Sequence, residues 1–345
     1  VNIDHDRLRT YVTAVFHAAG CQPDEAARVA GRLVEANLVG HDSHGVLRVA
    51  TYVRWLCEGK VLAGQEAAVV FDNEAIAVVD GRFGLGQTVG EQAMRLGIAK
   101  AAKHGVAVVA LRNAGHLGRI GDWPELVAEA GLLSLHFVNT TGAGILVAPF
   151  GGIERRLSAN PIAAGVPVVG GRPIILDMSA CMIAEGKVRV ALNKGVPVAE
   201  GCLIDAAGLP TTDPRVFYGD PPGSILSIAG HKGYGLAVLC EVLAGALTGG
   251  GCSDPANAGR VINGMLSVLL DPARFRPTDA FGDEIERFVA WVKSSAKATP
   301  DGEILMPGEV EQRTKERRLR DGIDVDDTTW SQLRDAARSV GVPDL

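Results

Sequence analysis

The stretch that most restricts what this chain can fold into is AVVDGRFGLGQTVG, residues 77–90. A short apolar run leads into glycines and then into a helical pattern, GQTVGEQAMRLGIAKAAKHG. That is the setting of a dinucleotide fingerprint, in which glycines let the backbone approach a pyrophosphate at a helix N-terminus. The spacing is wrong for it. Gly84, Gly86 and Gly90 give G-x-G-x-x-x-G, one residue too long. The next strand, VAVVALR, runs into Arg112 and Asn113, so the acid that would hold a ribose is missing. The loop therefore reads as a plain turn with close packing, and a Rossmann sheet is set aside.

The rest of the chain is helical at both ends and strand-rich between. Helices are expected over DHDRLRTYVTAVFHAAG, QPDEAARVAGRLVEANLVG and HGVLRVATYVRWLCEG, where apolar residues recur at helical spacing. AIAVVDG and VAVVALR are strands flanking the helix after the glycine loop, and PELVAEAG is a short helix. LLSLHFVN, PIAAGVPV, RPIILDMS, GCLID and RVINGMLSVLLDP are further strands. GYGLAVLCEVLAGALTG is apolar enough to read as a buried helix, and GDEIERFVAWVKSSAKA and TTWSQLRDAARSVG are amphipathic. The change of texture divides the chain into residues 1–115 together with 276–345, helical, and residues 116–275, strand-rich.

Bulk properties remove whole classes of function. A net charge of −6 gives no basic face for a nucleic acid, although it leaves room for a local anion pocket. No apolar run approaches the roughly 18 residues of a membrane span. The first residues, VNIDHDRLRTYV, are polar rather than signal-like. Six scattered cysteines without a C-x-x-C pair suit a reducing, cytoplasmic setting. Hydrophobic content of 47% is enough for a large core in two or three packed units.

Three clusters carry chemistry. In GHDSHGVLRV, residues 40–49, His44 and Arg48 fall one helical turn apart, with Ser43 or Asp42 available as a cap. Arg48 offers paired donors for a carboxylate, and His44 a proton near neutral pH. The pair suits a substrate with a carboxylate beside a reacting carbonyl or hydroxyl. The plain alternative is a solvated helix cap. A metal held by His41, Asp42 and His44 is disfavoured by poor spacing and the lack of thiolates, so no metal is expected. In NAGHLGRIGDW, His116 stands among Gly115, Gly118 and Gly121, where backbone N–H groups can meet a ligand. The alternative there is a glycine-rich turn. In GHKGYG, His231 and Lys232 open an apolar helix, a ready anion site, or merely end a loop. Together the three suggest one site for an anionic substrate and a cofactor.

These motifs, with APFGG, NPIAAGVP, ILDMS, EGKVRVALNKGVPV, GLPTTDP, HKGYGLAVLCEVLAGAL and MPGEVE in this order, resemble the malate/L-lactate dehydrogenase family of the second type across nearly the whole chain. KGVPVAEGCLID, FVAWVK and MPGEVEQRTKERR are most similar to its hydroxycarboxylate dehydrogenase B branch. The resemblance implies a non-Rossmann α/β fold with a mixed, largely antiparallel sheet and helical N- and C-terminal parts. It also implies a homodimer, with the helical part serving substrate and dimerisation and residues 116–275 the cofactor. The implied activity is NAD- or NADP-dependent interconversion of 2-hydroxy and 2-oxo acids such as malate, lactate or hydroxypyruvate. By motif matching, His44 lies at the nicotinamide and substrate, and Arg48 binds the substrate carboxylate. His116 matches a proton acceptor of ureidoglycolate-oxidising relatives. Cofactor contacts would fall on Gly118, Arg119, Ile120, Asp177, Met178, Ser179, His231, Lys232, Asn263, Pro307, Gly308 and Glu309, with Arg119 meeting a pyrophosphate or a 2′-phosphate.

Two departures from the family pattern bear on specificity. Ser158-Ala159-Asn160-Pro161 replaces G-T-N-P, losing a threonine hydroxyl that contacts substrate in some branches. Lys187 stands where the cyclic-imine reducers carry an aspartate that completes a relay with the counterparts of Ser43 and His44. That argues against the two rival readings in part: a Δ1-pyrroline- or piperideine-2-carboxylate reductase loses its relay, while a non-catalytic nucleotide-binding relative stays open. A lysine there would also lower the pKa of a nearby histidine. His44 and His116 both remain candidate donors, and the lysine tilts the expectation toward His116, with His44 orienting substrate and nicotinamide.

Overall fold

The computed structural model describes residues 1–142, 144–255 and 259–345. Local signals set the first elements. After β1 (Asn2–Ile3), the Asp4 carboxylate accepts the N–H groups of Asp6 and Arg7, both at 3.0 Å, and starts α1 (His5–Ala18). Pro23 opens α2 (Pro23–Leu38). The expected third helix begins later than its pattern suggests. Residues Asp42–His44 and Val46–Arg48 form separate 3₁₀ turns, and α3 runs Val49–Cys57. The break is at Gly45, where a Cβ would lie 2.2 Å from the Asn37 amide oxygen. Asn37 is held there because its Oδ1 accepts Val46 N–H at 2.8 Å and its Nδ2 donates to Asp42 at 2.6 Å.

The chain continues through β2 (Ala68–Asp72), β3 (Ile76–Asp80), α4 (Gly86–His104), β4 (Val106–Ala114), α5 (Asp122–Glu129), β5 (Leu133–Gly142), β6 (Pro161–Val166) and β7 (Ile174–Ser179). Next come α6 (Glu185–Lys194), β8 (Leu203–Ile204), β9 (Pro210–Thr211), β10 (Ser224–Ile225) and α7 (His231–Cys240), which widens into a π turn over Glu241–Ala246. The chain ends with β11 (Val261–Leu270), α8 (Thr278–Lys293), α9 (Glu309–Asp321), β12 (Ile323–Asp324) and α10 (Asp327–Ser339).

One seven-stranded sheet has the order β2-β3-β4-β11-β5-β6-β7. Only β3 and β4 run parallel, joined by α4, and every other neighbouring pair is antiparallel. This is the mixed, largely antiparallel sheet expected. It takes three strands from residues 1–115 and four from 116–275, with β4 and β11 side by side.

The glycine loop before α4 is filled by protein. A Cβ on Gly86 would lie 2.2 Å from the His116 carbonyl oxygen, and one on Gly90 2.7 Å from the Trp123 ring. Asp80, at the end of β3, accepts from Arg112 Nε at 3.1 Å and Asn113 Nδ2 at 3.0 Å. The glycines admit backbone and an indole, and the nearest acid serves the strand beside it.

Three apolar clusters result. One joins α1, α2 and α3 to Ile323, Val325 and Leu333 near the other end of the chain. A second packs α4 and α5 on the sheet around Trp123, and a third lies beneath β8 and β10. The helix read as buried is not wholly so: Val238, Leu239, Val242 and Leu247 are exposed. Among the described residues α8 buries none of its side chains. No helix is long and apolar enough to cross a membrane among the described residues.

Candidate active site

The turn before α3 and the loop after β4 bring two histidines face to face. The rings of His44 and His116 stack with centroids 5.7 Å apart and planes 12° off parallel. Ser43 Oγ lies 3.0 Å from His44 Nδ1. Neither Ser43 nor Asp42 acts as a helix cap. Asp42 instead accepts from Asn37 and from Arg318 on α9 at 2.6 Å each. His41 faces Glu311 at 3.4 Å and Asp177 at 3.9 Å. The three residues weighed as metal ligands therefore each face a different set of partners.

Arg48 is held by a single bond, Nε to the Ser43 carbonyl at 2.7 Å. Its two terminal nitrogens have no protein partner among the described residues, although the residue is partly buried. A guanidinium anchored at Nε with a free end is set to receive a carboxylate through paired donors. Its charge is felt on both rings. Burial, then Arg48, then His116 hold His44 well below the usual histidine range. Burial and Arg48 lower His116 to about 3. Lowering was expected from Lys187, and the principal charge is Arg48 instead. Lys187 is exposed beside Gly186, where a Cβ would lie 3.0 Å from Ser43 Cβ. Because both histidines are lowered, charge alone does not separate their roles.

Tyr52 and Gln87 complete this centre. Tyr52 Oη lies 2.5 Å from His116 Nδ1, and Gln87 Nε2 donates to Tyr52 Oη at 3.2 Å. The sequence reading passed over both. A signal existed for Tyr52, because His44, Arg48 and Tyr52 recur every four residues and α3 carries the last of them. Gln87 had none, since it lies in the first turn of α4, where only the glycines were read for function.

From His116 the loop runs on through the expected cofactor residues. Gly118 has φ of 75°, and Ile120 is buried. Gly121 N–H donates to Asp177 Oδ2 at 3.0 Å, tying the loop to the end of β7, where Met178 and Ser179 are partly exposed. Ile175 N–H donates to the Pro307 carbonyl at 3.1 Å, so Pro307, Gly308 and Glu309 flank the same strand. Ile228 N–H donates to the Ala180 carbonyl at 2.9 Å, which brings the exposed His231 and Lys232 at the start of α7 toward that strand end. Ala229 and Gly230, with φ of 49° and 61°, turn the chain into this helix.

Two expected contacts are used differently. The Arg119 side chain is 1% exposed, and its guanidinium meets Asp122 at 3.2 Å, Glu125 at 2.8 Å and Asp177 at 3.5 Å. It is the internal cation of the loop, so a phosphate does not reach its side chain in this arrangement. Asn263 is likewise consumed: Oδ1 accepts Leu117 N–H at 2.9 Å, and Nδ2 donates to the Asn139 carbonyl and Thr140 Oγ1. It positions the His116 loop from beneath.

The family model for malate/L-lactate dehydrogenase matches residues 3–334. Hydroxycarboxylate dehydrogenase B of Escherichia coli (strain K12) is 42% identical over 345 residues, covering 99% of this chain and 95% of that one. An L-lactate dehydrogenase of Cupriavidus necator is 37% identical, covering 92% of each chain. The solved structure of a putative malate/lactate dehydrogenase from E. coli superposes with a TM-score of 0.95 at 41% identity, over 100% of this chain and 96% of that one.

Proposed function

The chain belongs to the malate/L-lactate dehydrogenase family, and from that premise we propose that it is a nicotinamide-dependent 2-hydroxyacid dehydrogenase working mainly as a 2-oxoacid reductase. The observation that carries the reading is Arg48, anchored at Nε with its terminal nitrogens free and its charge acting on the stacked rings of His44 and His116. One cation for a carboxylate and two proton-moving groups beside it are the parts that reduction of a 2-oxo acid requires.

The residues around the end of β7 fit a dinucleotide. Backbone with positive φ at Gly118, Ala229 and Gly230 lies in the segments tied to the end of β7, Gly308 lies beside Ile175 at its start, and Lys232 stands at a helix N-terminus. Those loops, with Met178 and Ser179, would hold NAD or NADP; when bound, the reduced nicotinamide supplies the hydride. Arg48 fixes the carboxylate. His116 then meets the reacting oxygen and gives it a proton as negative charge develops, while His44, steadied by Ser43, orients the substrate. A bound carboxylate neutralises Arg48, the charge that lowers both rings, and so raises their affinity for a proton when substrate is present.

The active species is a homodimer. Support comes from α8, which buries nothing yet exposes Phe288 and Trp291, and from the exposed apolar face of α7 and its π turn. A panel of 2-oxo acids and cyclic imines with NADH and NADPH tests the activity. Turnover of 2-oxo acids is expected. Reduction of cyclic imines alone, or cofactor binding without turnover of either class, overturns it.

A further inference from the structure

The Tyr52 hydroxyl stands between two partners and has one proton to give. Gln87 Nε2 donates to it at 3.2 Å, so its own proton goes to His116 Nδ1, 2.5 Å away. Neutral His116 therefore carries its proton on Nε2, the ring nitrogen left to meet a substrate oxygen. Gln87 Oε1 is buried with no hydrogen-bond partner. A buried carbonyl oxygen left unpaired this way needs a reason.

A reversed chain supplies one. When His116 gains a proton, Nδ1–H donates to Tyr52 Oη. The phenol must then turn its own proton elsewhere, and a rotated Gln87 amide offers Oε1 to take it. We propose that Gln87, Tyr52 and His116 form a hydrogen-bond chain that reverses direction when His116 is protonated, which makes Tyr52 and Gln87 positioning residues of the proton donor. The proposal rests on the reading of His116 as the group that meets the substrate oxygen. In reduction the substrate carbon gains hydride from the reduced nicotinamide, the Nε2–H bond breaks, and its proton forms the alcohol O–H. His116 is left neutral with Nδ1–H toward Tyr52, and water at the partly exposed ring returns the proton to Nε2.

The titratable and charged groups facing His116 among the described residues are Tyr52 on α3, Arg48 just before it, and His44 across the stack. Tyr52 is itself pushed up to about 12 by burial, so it keeps its proton throughout an ordinary assay range. Its ring packs on Trp55 at 5.6 Å and Phe16 at 6.4 Å, contacts that Tyr52→Phe preserves.

The test is the pH at which reductive kcat falls, in the parent, Tyr52→Phe and Gln87→Glu. Tyr52→Phe removes the acceptor for Nδ1–H and should move that midpoint down by about one unit or more. Gln87→Glu fixes an acceptor and adds negative charge, and should move it up by about one unit. If the buried glutamate prevents folding, Gln87→Met removes the acceptor and should follow Tyr52→Phe downward. Shifts in one direction for Phe and Glu, or midpoints within about 0.3 unit of the parent, overturn the chain. A second readout needs no turnover. Nitrogen-15 shifts of the labelled imidazole, assigned by difference with His116→Asn, should show Nε2 protonated in the resting protein. Protonation on Nδ1 overturns the proposal. A parent inactive on every 2-oxo acid defeats the functional reading instead, and the imidazole measurement then decides the chain.

Discussion

Arg48 stands out by what it does not touch. Most arginines near the site are committed: Arg119 to three carboxylates, Arg318 to Asp42, Arg32 to Glu91. Arg48 keeps its fork open. Arg48→Lys retains charge but not the paired donors, and should lower kcat/KM for 2-oxo acids by about 10-fold or more; Arg48→Ala should cost about 100-fold. Steady-state kinetics check both, and a change within twofold or so for alanine removes Arg48 from the substrate site. The histidines divide differently. His116→Asn should cut kcat about 100-fold with cofactor Kd nearly intact, as loss of a proton donor does. His44→Asn should act more on substrate KM. If His44→Asn abolishes turnover while His116→Asn only weakens cofactor binding, the assignments exchange. At this scale the sequence was enough to single out His44, Arg48 and His116, which the fold brings together. It was illegible where role depends on surroundings. Nothing in GRIGD says that Arg119 turns inward, because the carboxylates that turn it include Asp177, more than fifty residues away.

The elements explain why those side chains meet. The loop before α4 approaches the His116 loop so closely that backbone touches backbone, with Gly115 N–H donating to the Gly84 carbonyl at 2.8 Å. A methyl group on Gly86 would meet the His116 carbonyl, which has no flexible end to swing away. Gly86→Ala should therefore destabilise by about 2 kcal/mol or more and impair activity through His116. Gly31, inside α2 with nothing within 4 Å of an added Cβ, is the control, and Gly31→Ala should stabilise by about 0.5–1 kcal/mol. Urea titration compares them; equal effects would mean that the close approach does not constrain the loop. The wrong glycine spacing was thus informative, since these glycines pack against backbone and an indole. Strands with alternating burial, such as β3 and β5, were readable from sequence. The strand β2 was missed because it is an edge exposed along nearly its whole length, without an inside face to pattern. The helix α9 was missed because it buries no side chain and so lacks an apolar stripe.

For the whole molecule, an amphipathic α8 with no buried residue predicts association. Light scattering should give twice the chain mass, and replacing Phe288 and Trp291 by polar residues should release monomer; a monomeric parent denies the dimer. Acid stability is the other global property, and it follows from a histidine outside the site. His136 is wholly buried in the sheet between Ser134 and Ser267, each at 2.8 Å, and burial lowers it to about 3. It is neutral when folded, whereas an unfolded chain binds its proton near the ordinary histidine value of 6.5. Below that pH the unfolded state holds more protons, so stability present above 6.5 is lost as pH falls toward 3. His44 and His116 act in the same direction. Carboxylates with lowered values, such as Asp80 and Glu91, begin to contribute only near or below the ordinary values of 3.8 and 4.5. In the interval from about 6 to 5 the histidines act against Asp122, which burial raises to about 7, so a substitution at one histidine isolates its share. Across that interval, His136→Gln should reduce the slope of unfolding free energy against pH by about one proton, or about 1.4 kcal/mol per pH unit. Urea titrations at fixed protein concentration measure that slope. A slope unchanged by the substitution would mean that His136 takes up its proton without unfolding, which its place between two hydroxyls in the middle of the sheet does not allow.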